Sequence, residues 1–170
     1  RLSSTSSPGA VGASGNGEVE DYIVNISMPP VDFGDHESLA SASSTANTNL
    51  RLGALVDTEF VPTQNVVATG DDITGSDDED GVTINTMTAG APASIAVTAT
   101  NATAAPAYLN AWIDFNNDSD FLDAGEQLAT NVEVISGTSG GTFPLNFTVP
   151  ANAVTGANVA LRFRLTSTSN

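Results

Sequence analysis

The chain has 170 residues and 40% hydrophobic content, with only seven Phe, two Tyr and one Trp, and its twenty acidic residues face four arginines and no lysine, for a formal charge of −16. Such a surface repels phosphate backbones and anionic lipid, which argues against nucleic-acid binding and membrane insertion; no stretch approaches the roughly 20 apolar residues of a spanning helix. Absence of cysteine rules out disulfides and thiolate metal sites, and absence of lysine rules out a Lys–Asn isopeptide crosslink, so bound calcium is the remaining staple for so many carboxylates.

Residues 1–17 are rich in Ser, Gly and Ala and read as a loop. Their first seven residues, Arg1-Leu2-Ser3-Ser4-Thr5-Ser6-Ser7, return 163 positions later as Arg164-Leu165-Thr166-Ser167-Thr168-Ser169-Asn170. This repeat suggests one period of a tandem array whose unit boundary falls inside a domain. Val19, Tyr22, Val24, Ile26 and Met28 then alternate well enough to predict a strand over Glu20–Ser27, ended by Pro29-Pro30. The expected organisation is therefore a loop and strand over 1–28 that completes a neighbouring unit, a linker at 29–31, an acidic loop-rich module over 32–81, and a sandwich over 82–170 that lacks its final strand.

The module from Asp32 to Gly81 has little periodicity, with short apolar pieces at Leu50–Val56 and Phe60-Val61. A loop region this long needs a tie. Carboxylates supply a candidate in Asp71, Asp72, Asp77, Asp78, Glu79 and Asp80, six acids in ten positions with glycines at 70, 75 and 81 that permit tight turns. The run is expected to hold a second calcium ion, against the plainer reading of a solvated acidic loop.

From Gly81 onward short apolar runs recur at the spacing of a β-sandwich. Strands are predicted at Val82–Thr86, Ala93–Thr100, Ala107–Asp114, Asn131–Ile135, Thr142–Val149 and Asn158–Thr166, with at most one helical turn within Asp123–Thr130. Ile95, Val97 and Ala99 form one inward set, and Val159, Leu161, Phe163 and Leu165 another, with Arg162 and Arg164 on the opposite face. Trp112, in an apolar strand, is assigned to the core.

The strongest local motif follows the Ala107–Asp114 strand. Asp114, Asn116, Asp118 and Asp120 place oxygen side chains at alternate positions of a short loop, and Asp123 and Glu126 follow to close a shell. Hard oxygen ligands on a curling loop are what calcium takes. The loop departs from an EF-hand: Ser119 stands at the glycine position, Glu126 comes one place late, and a strand leads in. The plainer alternative is an Asx-rich hairpin turn.

Catalysis has little support. His36, the single histidine, lies between Asp35 and Glu37 and reads as a solvated loop residue. No nucleophile–base pair, phosphate loop or dinucleotide fingerprint is present. Asn25, Asn101 and Asn146 head Asn-x-Ser/Thr sequons.

Three segments together resemble the bacterial GEVED domain: Gly17-Glu18-Val19-Glu20-Asp21-Tyr22, the run Ala111-Trp112-Ile113-Asp114-Phe115-Asn116 through Gly125-Glu126, and Val149-Pro150 through Leu161-Arg162-Phe163-Arg164-Leu165. Upstream, Asp32-Phe33-Gly34-Asp35 and Asp77-Asp78-Glu79-Asp80-Gly81-Val82 resemble a module that precedes such domains in secreted proteins. The resemblance implies an extracellular protein of the bacterial cell surface built from repeats, and no enzymatic activity. It also implies that the Arg-Phe-Arg strand precedes the Gly-Glu-Val-Glu-Asp-Tyr strand within one domain, the reverse of their order here. The expected fold is an all-β antiparallel sandwich of Greek-key or jelly-roll type, one unit of a tandem or strand-sharing array. Its expected role is a calcium-stabilised filament, surface-layer or adhesin-stalk unit, whose partners are neighbouring units of its own kind. A calcium-dependent carbohydrate-binding module, with glycans as partners, is the alternative; a metal-dependent hydrolase is disfavoured by the single histidine.

Overall fold

The structure is a computed structural model that describes residues 2–4, 9–13, 15–70 and 77–169. Eleven strands are assigned among them, and no helix. The long strands are those with sustained alternation: β7 (Pro92–Asn101), β8 (Ala107–Ile113), β9 (Gln127–Val134), β10 (Thr138–Thr148) and β11 (Leu161–Thr166). The short ones are β1 (Leu2–Ser3), β2 (Gly17–Glu18), β3 (Val31–Phe33), β4 (Ser43–Thr45), β5 (Leu50–Leu52) and β6 (Val82–Ile84).

Two antiparallel sheets face each other. In the first, β7 pairs with β10 along one edge and with β5 and β6 in succession along the other. In the second, the order is β11-β8-β9. Alternation makes each strand two-faced, and the inner faces meet. Ile95, Val97 and Ala99 of β7 and Leu145 of β10 are buried with Ala107, Leu109 and Ala111 of β8 and Ala129 and Val134 of β9. Small residues therefore share the core with Ile, Val and Leu. Leu161, Phe163 and Leu165 of β11 pack on the same core but stay half-buried, because β11 is an edge strand.

The inward sets at 95–99 and 159–165 are as the alternation predicts. Trp112 is not in the core. Ala111 and Ile113 take the inward places on β8, so parity turns Trp112 to the outer face, half-buried 6.4 Å from the Phe121 ring and paired across the ladder with Arg162. Within Asp123–Thr130 no helix forms: Asp123 to Glu126 make a hydrogen-bonded turn, Glu126 N donating to Asp123 O at 3.2 Å, and Gln127–Thr130 is already strand, with Gln127 paired to Trp112. The expected strand at Glu20–Ser27 is likewise absent. Residues 19–30 carry no secondary structure, and Tyr22, Ile23, Val24, Ile26 and Met28 are exposed. A strand exists only through a partner for its backbone groups, and this segment has none among the described residues.

The acidic module is tied to both sheets. β5 extends the first sheet, while the β3–β4 hairpin lies against β11, where Arg162 Nη1 donates to the Ala40 carbonyl at 2.8 Å and Arg164 Nη2 to that of Ser43 at 3.0 Å. Asn101, fully buried at the end of β7, organises the other end of the sandwich. Its Nδ2 donates to the carbonyls of Ala105 at 2.9 Å and Val134 at 2.8 Å, and its Oδ1 accepts from Thr103. Glycosylation of this sequon is incompatible with the fold. Asn101→Ala strands both carbonyls in the interior and should cost roughly 2–4 kcal/mol, read as a lower urea midpoint with an unchanged slope.

Candidate metal-binding loop

The loop between β8 and β9 is built from side-chain oxygens that cap backbone amides two to five residues ahead. Asp114 Oδ1 accepts from Asp118 N at 3.1 Å and Oδ2 from Ser119 N at 2.9 Å. Asn116 Oδ1, Asp118 Oδ1 and Asp120 Oδ1 accept in turn from the amides of Asp118, Asp120 and Leu122, at 3.2, 3.2 and 2.8 Å. These are successive Asx turns, and the alternate spacing of 114, 116, 118 and 120 is what lets each begin where the last ends. Asn117 and Ser119 adopt positive φ, 59° and 74°, a backbone conformation that Asn tolerates and Ser holds here through the Asp114 carboxylate.

Glu126 closes the loop. Its Oε1 accepts from Phe115 N at 3.0 Å and its Oε2 from Asp123 N at 3.3 Å, while Asn116 Nδ2 donates to Asp118 Oδ2 and Asp123 Oδ2. Asp114 and Glu126 are 1% and 2% exposed, so two carboxylates are withdrawn from water at the base of one loop. Burial pushes the Glu126 carboxyl above the usual glutamate range; the two amides pull it down, and the negative charges of Asp114 and Asp123 push it up again. A cleft of about 250 Å³ opens beside it, lined by Asn116, Asp123 and Glu126 with Asn152 and Ala153 of the following turn.

The predicted ligands therefore divide. Asp114 and Glu126 are buried at the base of the loop, while Asn116, Asp118, Asp120 and Asp123 are exposed, with Asn116 bridging Asp118 and Asp123. Among the described residues no three carboxylate or imidazole groups are gathered around one point in the manner of a coordination shell; the oxygens are taken up by amides. Asn152 carried no signal in the sequence. It follows Pro150 in an ordinary turn, 26 residues from Glu126, and only the packing of that turn beneath the loop brings it near.

The second acidic run behaves differently. Asp71 and Asp72 lie outside the described residues. Asp78 Oδ2 accepts from Asp57 N at 3.0 Å, and both oxygens of Asp80 accept from Ala54 N, at 3.0 and 3.1 Å. These two acids tie loop 53–57 to the start of β6, while Asp77 and Glu79 are exposed. Gly53, at φ +61°, is where Asp80 comes closest: a Cβ there would stand 1.7 Å from Asp80 Oδ1.

A raised carboxyl means that the folded state holds the Glu126 proton more tightly than the unfolded chain does. Its contribution is therefore fully present below the ordinary glutamate value and lost as pH rises through the raised folded value. In divalent-free buffer, the melting temperature of the parent relative to Glu126→Gln should fall as pH rises from about 4 to 7; parallel profiles would show that this group does not titrate differently on unfolding.

No curated protein and no solved structure matches the chain. Residues 108–170 match the model of the GEVED domain, a span that takes in most of β8, the loop and β9 to β11, and leaves Gly17–Tyr22 and the acidic module outside. Over residues 108–170 the chain is therefore similar to the GEVED domain.

Proposed function

We propose that the chain is a structural β-sandwich unit of an extracellular bacterial filament, surface layer or adhesin stalk, joined to its neighbours by shared β-strands and stiffened by calcium. The observation that carries the reading is a pair of complementary defects. β11 pairs with β8 alone, leaving its other edge to a cleft of about 1300 Å³. Residues 19–28, an alternating apolar segment, stand exposed with no strand partner. An unfilled edge and an unpaired strand in one chain are the two halves of a β-augmentation joint, and repetition of such a heterologous contact without closure gives a fibre.

Calcium is supported by the loop's donor chemistry. The groups at its base are all hard oxygens, two of them buried carboxylates that repel each other, and a divalent cation would neutralise both. Asp114, Glu126, Asp123 and Asn116 would hold it, with Asp118 and Asp120 turning inward to complete the shell. Each carboxylate oxygen that now accepts one amide keeps a further lone pair. The ion would supply electrostatic bracing, and the loop so fixed buttresses β8, whose next residue Asp114 is hydrogen-bonded to Ala160 at the entry to β11. The acidic run at Asp71, Asp72 and 77–80 is proposed as a second, weaker site. No helix of the described residues is long and apolar enough to cross a membrane, and a calcium-rich exterior suits both sites.

A second reading, a calcium-dependent carbohydrate-binding module, draws on one observation: Trp112 and Tyr108 lie half-buried on the outer face of the sheet rather than in the core. Hits on a glycan array that vanish in Trp112→Ala would favour it, and a blank array favours the structural role.

With free calcium at ten to a hundred times its dissociation constant, one site stabilises the fold by about 1.4–2.7 kcal/mol. Calcium should therefore raise the melting temperature over a chelated sample, and Asp114→Ala should abolish most of the increment. An equal melt in calcium and in chelator, with no metal by elemental analysis, would sink the calcium claim.

A further inference from the structure

The shared-strand reading leaves open how the strand is seated, and the N-terminal hairpin supplies a template for the register. β1 pairs antiparallel with β2, Leu2 opposite Glu18 and Ser3 opposite Gly17. The tract that contains β1 is also the tract that ends β11: Arg1, Leu2 and Ser4 recur as Arg164, Leu165 and Ser167, with Thr166 in place of Ser3. We infer that residues 17–28 of a second copy add to the free edge of β11 in the register of this hairpin, with the second copy's Glu18 opposite Leu165, its Asp21 opposite Arg162 and its Tyr22 opposite Leu161.

Hydrogen-bond parity provides a first check. In the hairpin Ser4 N donates to Asn16 O at 3.1 Å, so residues 4 and 16 form a hydrogen-bonded pair and, by alternation, so do 2 and 18. Transferred to β11, this requires Leu165, Phe163 and Leu161 to present their backbone groups to the incoming strand. Asp114 N donates to Ala160 O at 2.9 Å, which makes 160, 162 and 164 the residues bonded to β8 and leaves 161, 163 and 165 facing the free edge. The parity that the hairpin demands is the parity that the edge offers.

Side-chain parity sorts the donor into two stretches. Directly opposite residues share a face of the sheet, so the even residues of the donor lie on the side of Leu161, Phe163 and Leu165, toward the core. Along β11 itself these are Glu18, Glu20 and Tyr22; the apolar Val24, Ile26 and Met28, exposed like Tyr22, follow opposite residues 159, 157 and 155, which precede the strand. The cleft they would enter is lined by Leu50, Leu52, Val82, Met87 and Val159. On the outer face Asp21 meets Arg162, whose guanidinium is held below its usual pKa by burial and by the like charge of Arg164. An opposing carboxylate at that position relieves both effects.

The occupant is a second copy, since the chain's own segment cannot reach. Contacts step from Arg162–Ala40 to Arg164–Ser43, so β4 continues toward the Thr166 end of β11, and β3, antiparallel to β4, begins at that end. The register carries Met28 past the other end, beyond Val159. Met28 is three residues from Val31, about 10 Å at full extension, whereas the two places are separated by the length of β11, roughly 20 Å for six residues. In exchanging the two-residue β1 for the six-residue β11, the donor gains ladder bonds and brings Tyr22 against Leu161.

Disulfide trapping tests the register, because the chain has no cysteine of its own. Val19→Cys with Arg164→Cys places two thiols at a directly opposite, non-hydrogen-bonded pair, and Asp21→Cys with Arg162→Cys does the same one step along, should the first variant not fold. Under mild oxidation either in-register variant should give a ladder of linked multimers on a non-reducing gel. Val19→Cys with Arg162→Cys, shifted by two residues, should link about tenfold less, because diagonal neighbours ~7–8 Å apart exceed disulfide reach. Multimers that link equally or better in the shifted variant would overturn the register while leaving shared strands standing. A disulfide closed within one chain would overturn the second copy as occupant. Folded in-register variants that stay monomeric by sedimentation and never link would overturn both the register and the shared-strand reading on which it rests.

Discussion

The architecture depends on the contact between the inner faces of β7 and β8. β7 pairs with β10, β5 and β6, and β8 with β9 and β11, so each long strand of the core carries a whole sheet. What joins the two sheets is the layer of Ile95, Val97 and Ala99 against Ala107, Leu109 and Ala111, all fully buried. It is closed at one end by Asn101, which spends its amide on the β7–β8 connection and on β9, and at the other by Ile113, Phe115 and Val149 beneath the acidic loop.

That frame explains why the acidic loop matters to the rest. Asp114 is the residue after β8, and its amide is bonded to Ala160 just before β11. Loop conformation and the seating of β11 are therefore coupled through one residue. Withdrawing Asp114 and Glu126 from water is unfavourable for two like charges, and the amides of Phe115, Asp118, Ser119 and Asp123 offset part of that. The repulsion that remains is what the proposed calcium ion would relieve. A chain with sixteen net negative charges gains further from any neutralisation, because self-repulsion opposes compaction throughout.

The other consequence is an asymmetry between the two edges of the second sheet. β9 borders solvent with a bulge at Asn131, whose positive φ of 49° and amide bond to Asn110 Oδ1 break the regular ladder and blunt that edge against pairing. β11 has no such device. It pairs without a register shift over six residues and opens onto a largely apolar cleft. One edge is protected and the other is open, the asymmetry on which the proposed shared-strand joint rests.

The sequence by itself determined the strands whose alternation is strong, their inward sets, and the curl of the loop at 114–126, because these follow from a period of two and from side chains that cap their near neighbours. It also placed the C-terminal GEVED segment, through residues 111–126 and 149–165, within the span that the family model matches. Tertiary structure alone decided which face Trp112 takes, since an apolar strand covered on both sides has no face that its composition can mark. It alone decided that Asp78 and Asp80 hold loop 53–57, and that Asn152 lies beside Glu126, because those contacts join residues more than twenty apart. Glu20–Ser27 shows the boundary most clearly: alternation can specify the faces of a strand, but the strand itself forms only where another chain segment offers its edge.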